Sequence, residues 1–126
     1  MVTGKPISIG GSLGREEATG RGVVDVTLEV LRHFRLRISD TTVVIQGFGN
    51  VGSHTARILH TEGVKILAIS DQLGGIYNQQ GLDIPGILSH LASNKVAIPS
   101  LTKFGEPISN EDLLVLPCQV LIPAAV

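Results

Sequence analysis

Gly47-Phe48-Gly49-Asn50-Val51-Gly52 stands between the apolar run Thr42-Val43-Val44-Ile45 and a stretch whose apolar residues recur at helical spacing. Three glycines so placed, where a strand turns into a helix, form the fingerprint of a dinucleotide-binding βαβ unit. Asp71 follows 19 positions after Gly52, at the end of a second apolar run. An acidic residue at that distance is placed to accept hydrogen bonds from ribose hydroxyls. The bare glycine pattern would say little; the flanking strand, the helix and the distal acid make it informative.

The three glycines have different tasks. Gly47 permits a tight turn out of the strand, Gly49 lets the backbone approach a pyrophosphate, and Gly52 lets the helix pack close to the strand. Phosphates would then meet the free N–H groups near Asn50, Val51 and Gly52, where the helix dipole supplies partial positive charge. Asp71 would repel the extra phosphate of NADP, and Gln72 and Leu73 follow it rather than a cation. The reading is therefore NAD in preference to NADP. Asp71 also suits a second task, capping the loop at its strand end, and the two are compatible.

A chain of 126 residues suits one small domain. Its hydrophobic content of 43% and mean hydropathy of +0.32 are high for a sequence with no membrane-length apolar run, and point to buried parallel strands. Ten basic and eleven acidic residues, with 3% aromatics, offer no stripe for nucleic acid. The lone Cys118 excludes an internal disulfide, and no secretory signal precedes residue 20, so a cytoplasmic protein is expected. Cys118 reads as a small buried residue. His33, His54, His60 and His90 do not make a metal site by spacing.

Glycines and Pro6 make residues 1–15 an irregular opening loop. Residues 16–35 form a helix with Val23, Val24, Leu28, Leu31 and Phe34 on one stripe and Val26 and Val30 on another, a pattern expected to be buried on two sides. Gly20 and Gly22 weaken that helix by about 1 kcal/mol each, which suggests close packing or a close ligand. Residues 42–126 read as a βαβαβ unit: strand Thr42 to Gln46, helix Val51 to Glu62 closed by Gly63, strand Val64 to Ser70, helix Asp83 to Asn94, and strand Cys118 to Ile122. Gly74 to Gly81 forms a hairpin or an exposed loop, and Asn110 caps a short helix. The fold class is α/β, a Rossmann-like doubly wound parallel sheet of which about three strands, the first half, are present. In that half-sheet, Thr42 to Gln46 would expose an edge and promote association.

The segments "GKPISIGGSLGREEATGRGV" at 4–23, "VVIQGFGNVG" at 43–52, "SDQLGGIYNQQGLDI" at 70–84 and "LIPAA" at 121–125 closely resemble glutamate dehydrogenases, within the wider glutamate, leucine, phenylalanine and valine dehydrogenase family. Phe48 and "LIPAA" are more similar to the glutamate enzymes. The resemblance implies oxidative deamination of L-glutamate to 2-oxoglutarate and ammonia, with hydride passing to a nicotinamide. It places Thr19 near the carboxamide, Arg15 toward the substrate carboxylate, Phe48 to Val51 at the pyrophosphate and ribose, Asp71 at the adenosine ribose, and Ala124 and Ala125 along the cofactor groove. Arg15 has a competing reading as a surface ion pair with Glu16 or Glu17. The resemblance also implies a homo-hexamer.

In that family an earlier substrate domain supplies the catalytic lysine and aspartate, and a later segment completes the cofactor domain. Neither matches residues here, and Lys5 belongs to the "GKP" turn, so the resemblance implies a chain truncated at both ends with no catalytic residue of its own. Two readings follow: the cofactor-binding part of an oxidoreductase, or a non-catalytic module that binds nucleotide or other subunits.

Overall fold

The computed structural model describes residues 7–8 and 16–124, with side chains given from Arg21 onward. The expected opening loop contains a two-residue strand, β1 (Ile7–Ser8), and the rest of it lies outside the described residues. Helix α1 (Glu16–His33) leads through a 3-10 turn to β2 (Thr42–Gln46), and α2 (Asn50–Thr61) leads to β3 (Lys65–Asp71). Next come β4 (Gly74–Tyr77), α3 (Ile84–Ser93), β5 (Glu106–Ile108), the short α4 (Asn110–Leu114) and β6 (Val120–Pro123). The sheet has six strands in the order β1-β6-β2-β3-β4-β5.

Helix α2 ends as its sequence predicts. Gly63 has φ +97°, and its N–H donates to the His60 carbonyl while that of Val64 donates to Leu59, the paired bonds of a Schellman close. Helix α1 closes with the same two bonds, from Arg35 to Arg32 and from Leu36 to Leu31, but the left-handed residue is Arg35, at φ 56°. At α3, Asp83 caps the first turn by accepting the Gly86 N–H, and Pro85 occupies a first-turn position that needs no donor. At α4 the cap is Ser109, whose hydroxyl accepts the Asp112 N–H. Asn110, expected as that cap, is the first helical residue instead.

Alternation in β2 sends Val43 and Ile45 to one face of the sheet and Val44 to the other. On the first face they join Val23, Val24 and Leu31 of α1, Ala56 and Leu59 of α2, and Ile84 and Ile87 of α3. On the second face Val44 meets Leu67, Ala68 and Leu113 of α4. The β2 to β3 register jumps from Val43 opposite Ile66 to Val44 opposite Ala68, a one-residue irregularity that turns Leu67 and Ala68 toward the same side. Of the two expected stripes of α1, Val23, Val24 and Leu31 are buried and Leu28 and Val30 are half-buried against the core, whereas Val26 is 50% exposed and Phe34 46%. The expected two-sided burial therefore holds only in part, Val26 and Phe34 lacking cover among the described residues. At Gly22 an added Cβ would meet nothing within 4 Å, so no packing among the described residues calls for that glycine.

The α/β class is as expected, but the sheet has six strands rather than about three, with β4 and β5 antiparallel, and β2 is not an edge. Strand β6 lies parallel to β2 on the side away from β3, with Val43 opposite Val120 and Gln46 opposite Pro123. Thr42 to Gln46 is consequently an interior strand and exposes no edge. The reversal of strand order at β2, with β3 to one side and β6 to the other, is the topological switch point at which open α/β sheets hold ligands beyond their carboxyl ends. Gly74 to Tyr77 takes the hairpin alternative, antiparallel to β3 with Asp71 opposite Gly74, and β5 pairs antiparallel with β4 beyond it.

Candidate functional site

Three strand ends meet at the switch point. Gln46 ends β2, with Ser70 of β3 and Pro123 of β6 as its register partners. Beyond them the Ala124 N–H donates to the Gln46 carbonyl at 2.7 Å, and the Gly47 N–H donates to the buried Ser70 hydroxyl at 3.3 Å. The turn after β2 is thus tied to Ser70 of β3, next to Asp71, and the end of β2 to the residue after β6.

Within the turn, Gly47 has φ +102°, a conformation that L side chains rarely adopt. Gly52 is buried, and a Cβ there would run into the carbonyl of Gly47 and stand 3.7 Å from the Cβ of Ala124. At Gly49 an added Cβ would meet nothing within 4 Å among the described residues, which leave it facing open space. Phe48 is half-buried and packs against the main core, which pins the turn, and Val51 is buried at the start of α2. Asn50 is exposed as the first helical residue.

Gly49 is the N-cap of α2, and no side chain among the described residues caps that helix. The first intrahelical bond runs from the Ser53 N–H to the Gly49 carbonyl at 2.8 Å, so the N–H groups of Asn50, Val51 and Gly52 precede the ladder. Donors without intrahelical partners, a dipole with its positive end outward and an open glycine make a cradle for an anion of phosphate size. The residues fit a dinucleotide pyrophosphate on these grounds.

Asp71 is half-buried at the end of β3. Its Oδ1 accepts the Leu73 N–H at 2.8 Å and its Oδ2 accepts the Ile98 N–H at 2.7 Å. The loop-capping task is therefore real, and each carboxylate oxygen keeps a further lone pair for a hydroxyl donor. Ala124 is buried at the end of β6. Thr19 lies in α1 with only its helical backbone described, while Arg15 and Ala125 lie outside the described residues. The fold thus groups Gly47 to Gly52, Asp71 and Ala124. Cys118 stands away from this group, half-buried against Val44 and Leu113, and burial pushes its thiol up to about 11 against a smaller opposing effect of a backbone hydrogen bond at Val120.

Ser70 is a site residue that the sequence reading missed. Its signal was a single hydroxyl ending the apolar run Ile66 to Ile69, immediately before the acid. Asn110 was read only as a helix cap, yet its Nδ2 donates to the Asp71 carbonyl at 3.0 Å. Among the described residues, no three His, Cys, Asp or Glu side chains gather as metal ligands, and no helix is long and apolar enough to cross a membrane.

The sequence pattern of the Glutamate/Leucine/Phenylalanine/Valine dehydrogenase family matches residues 10–126. Glutamate dehydrogenase A2 of Halobacterium salinarum is 48% identical over 126 residues, which are 100% of this chain and 30% of the relative. A cryptic catabolic NAD-specific glutamate dehydrogenase of Bacillus subtilis is 42% identical over 127 residues, covering 100% of this chain and 29% of that protein. An NADP-specific glutamate dehydrogenase of Synechocystis is 43% identical over 132 residues, 99% of this chain and 31% of its own length. Among solved structures, the hetero-hexameric glutamate dehydrogenase of Thermus thermophilus in its leucine-bound form superposes with a TM-score of 0.75 at 28% identity, over 90% of this chain and 26% of that one. The chain thus spans about 30% of the length of the curated relatives it matches. Glycine turn, strand order and near-complete coverage agree, and the chain belongs to the Glutamate/Leucine/Phenylalanine/Valine dehydrogenase family.

Proposed function

We propose that this chain is the dinucleotide-binding part of a glutamate dehydrogenase, serving oxidative deamination of L-glutamate with NAD as the hydride acceptor. The observation that carries the reading is the open backbone at Gly49 beside the uncapped start of α2, one strand away from Asp71. In this reading residues 1–126 form a single partial dinucleotide-binding domain. The bound dinucleotide supplies the carbon that takes the hydride. The chain's own residues bind and orient it: the N–H groups of Asn50, Val51 and Gly52 hold the pyrophosphate, Asp71 accepts the adenosine ribose hydroxyls, and Ala124 lines the groove.

NAD is preferred over NADP because a carboxylate at Asp71 accepts hydroxyl donors and repels a 2′-phosphate. Relatives with either specificity exist, so family membership does not distinguish the two, and the acid is what supports NAD. Thr19, Arg15 and Ala125 are proposed at the carboxamide, the substrate carboxylate and the groove. The lone Cys118 supports a cytoplasmic location, and the hexameric Thermus relative supports assembly into a hexamer.

Calorimetric titration of the 126-residue chain with NAD and with NADP tests the reading. NAD is expected to bind more tightly, and Gly49→Asp is expected to abolish binding by placing a carboxylate where the pyrophosphate would lie. Tighter binding of NADP would overturn the assignment to Asp71. No NADH is expected from glutamate and NAD with this chain alone, since a proton cannot be moved by groups that are not there. Turnover above the Gly49→Asp control would show that the chain carries catalytic groups of its own.

A further inference from the structure

Asp71 is held from three directions. Its Oδ1 takes the Leu73 N–H from the hairpin turn, and its Oδ2 takes the Ile98 N–H from the 3-10 turn Ile98–Ser100. Its backbone carbonyl takes Asn110 Nδ2 from the first residue of α4, 39 positions away in sequence. The first two bonds fix the carboxylate's rotamer, and the third fixes the backbone that carries it.

Asn110 makes that third bond at a cost. Its Oδ1 is buried and has no hydrogen-bond partner among the described residues. Turning the amide over would set two acceptors, Oδ1 and the Asp71 carbonyl, against each other, so the orientation is dictated by the bond to Asp71. A buried acceptor without a donor is unfavourable, and an apolar residue of similar size would fill the same space without one. What the asparagine adds over such a residue is one donor, aimed at Asp71.

We propose that Asn110 is a positioning residue for cofactor choice: by anchoring the Asp71 backbone it keeps the carboxylate where it meets an adenosine 2′-hydroxyl and opposes a 2′-phosphate. The proposal rests on the dinucleotide reading above. An Asp71 backbone free to shift carries its carboxylate away from both the hydroxyl it would accept and the phosphate it would oppose, so loosening it erodes the ratio between the two cofactors rather than binding in general.

The test is calorimetric titration of the full chain with NAD and NADP, comparing wild type, Asn110→Leu, Asn110→Ser, Asp71→Ser and the double variant Asp71→Ser/Asn110→Leu. Asn110→Leu is expected to lower the preference for NAD about tenfold, and the double variant to show no more loss than Asp71→Ser alone, the signature of two residues acting as one unit. An unchanged cofactor ratio in Asn110→Leu, or equal weakening toward both dinucleotides, would overturn the proposal, since a purely structural role predicts one of these. If the leucine variant does not fold, Asn110→Ser is read in the same way, with the same two outcomes. Failure of the wild-type chain to bind either dinucleotide would overturn the dinucleotide reading itself and is told apart by that arm alone.

Discussion

The carbonyl of Gly47 occupies the place in which a side chain at Gly52 would begin. Gly52→Ala must therefore push the start of α2 away from the end of β2, and is expected to destabilise the fold by about 1–3 kcal/mol, the usual cost of overpacking. Gly49→Ala meets open space at an ordinary φ of −75° and is expected to change stability by less than about 1 kcal/mol. Denaturant titration of the two variants side by side checks the contrast. A Gly49→Ala variant that is stable yet binds NAD weakly would separate the binding task from the folding task.

Arg35 closes α1 in the left-handed conformation that Gly63 adopts at the end of α2. A non-glycine residue there carries a penalty of about 1–2 kcal/mol, of which glycine returns part through its more flexible unfolded chain. Arg35→Gly is expected to stabilise the protein by about 0.5–1 kcal/mol, measured as a higher denaturant midpoint at unchanged slope.

Thr55 faces the core from α2 with a buried hydroxyl that has no partner among the described residues. Thr55→Val removes the unpaired oxygen and keeps the branched shape. Stability is expected to rise by up to about 1 kcal/mol, in contrast to the loss usual for core substitutions. Thermal unfolding of the variant checks this.

Cys118 has its thiol pushed up from 9.0 to about 11, chiefly by burial. The thiolate is disfavoured in the folded state, so the folded protein holds the proton that the unfolded chain gives up. The resulting stability is fully present below about pH 9 and is lost as the pH rises toward about 11. Iodoacetamide modification at pH 8 is expected to be slow in the native protein and to quicken on unfolding, whereas Cys118→Ala is expected to flatten the alkaline fall in stability.

Local chemistry made the glycine turn, α2 with its Gly63 close and the strand carrying Asp71 legible in the sequence, because each rests on neighbours a few residues apart. Strand β5 was not legible: Glu106-Pro107-Ile108 is short, largely exposed and without alternation, and it becomes a strand only because Gly75 and Ile76 lie opposite it. The place of β6 beside β2 is likewise a long-range choice, since a crossover to either side of the sheet carries the same apolar run. Within the candidate site, the glycines announced themselves by conformation. The bonds from Ile98 and Asn110 to Asp71 span 27 and 39 positions, and no periodicity reports a partner so far away.

Strand β5 ends the described sheet with a charge and a proline, Glu106 and Pro107. Proline has no N–H to offer a newcomer, and a glutamate on the rim opposes the stacking of one copy against the next. Growth of the sheet by adding strands from other molecules is thus blocked on the β5 side. The other edge of the described sheet is the two-residue β1, Ile7–Ser8, so lateral extension of that sheet is confined to the flank where β1 covers β6.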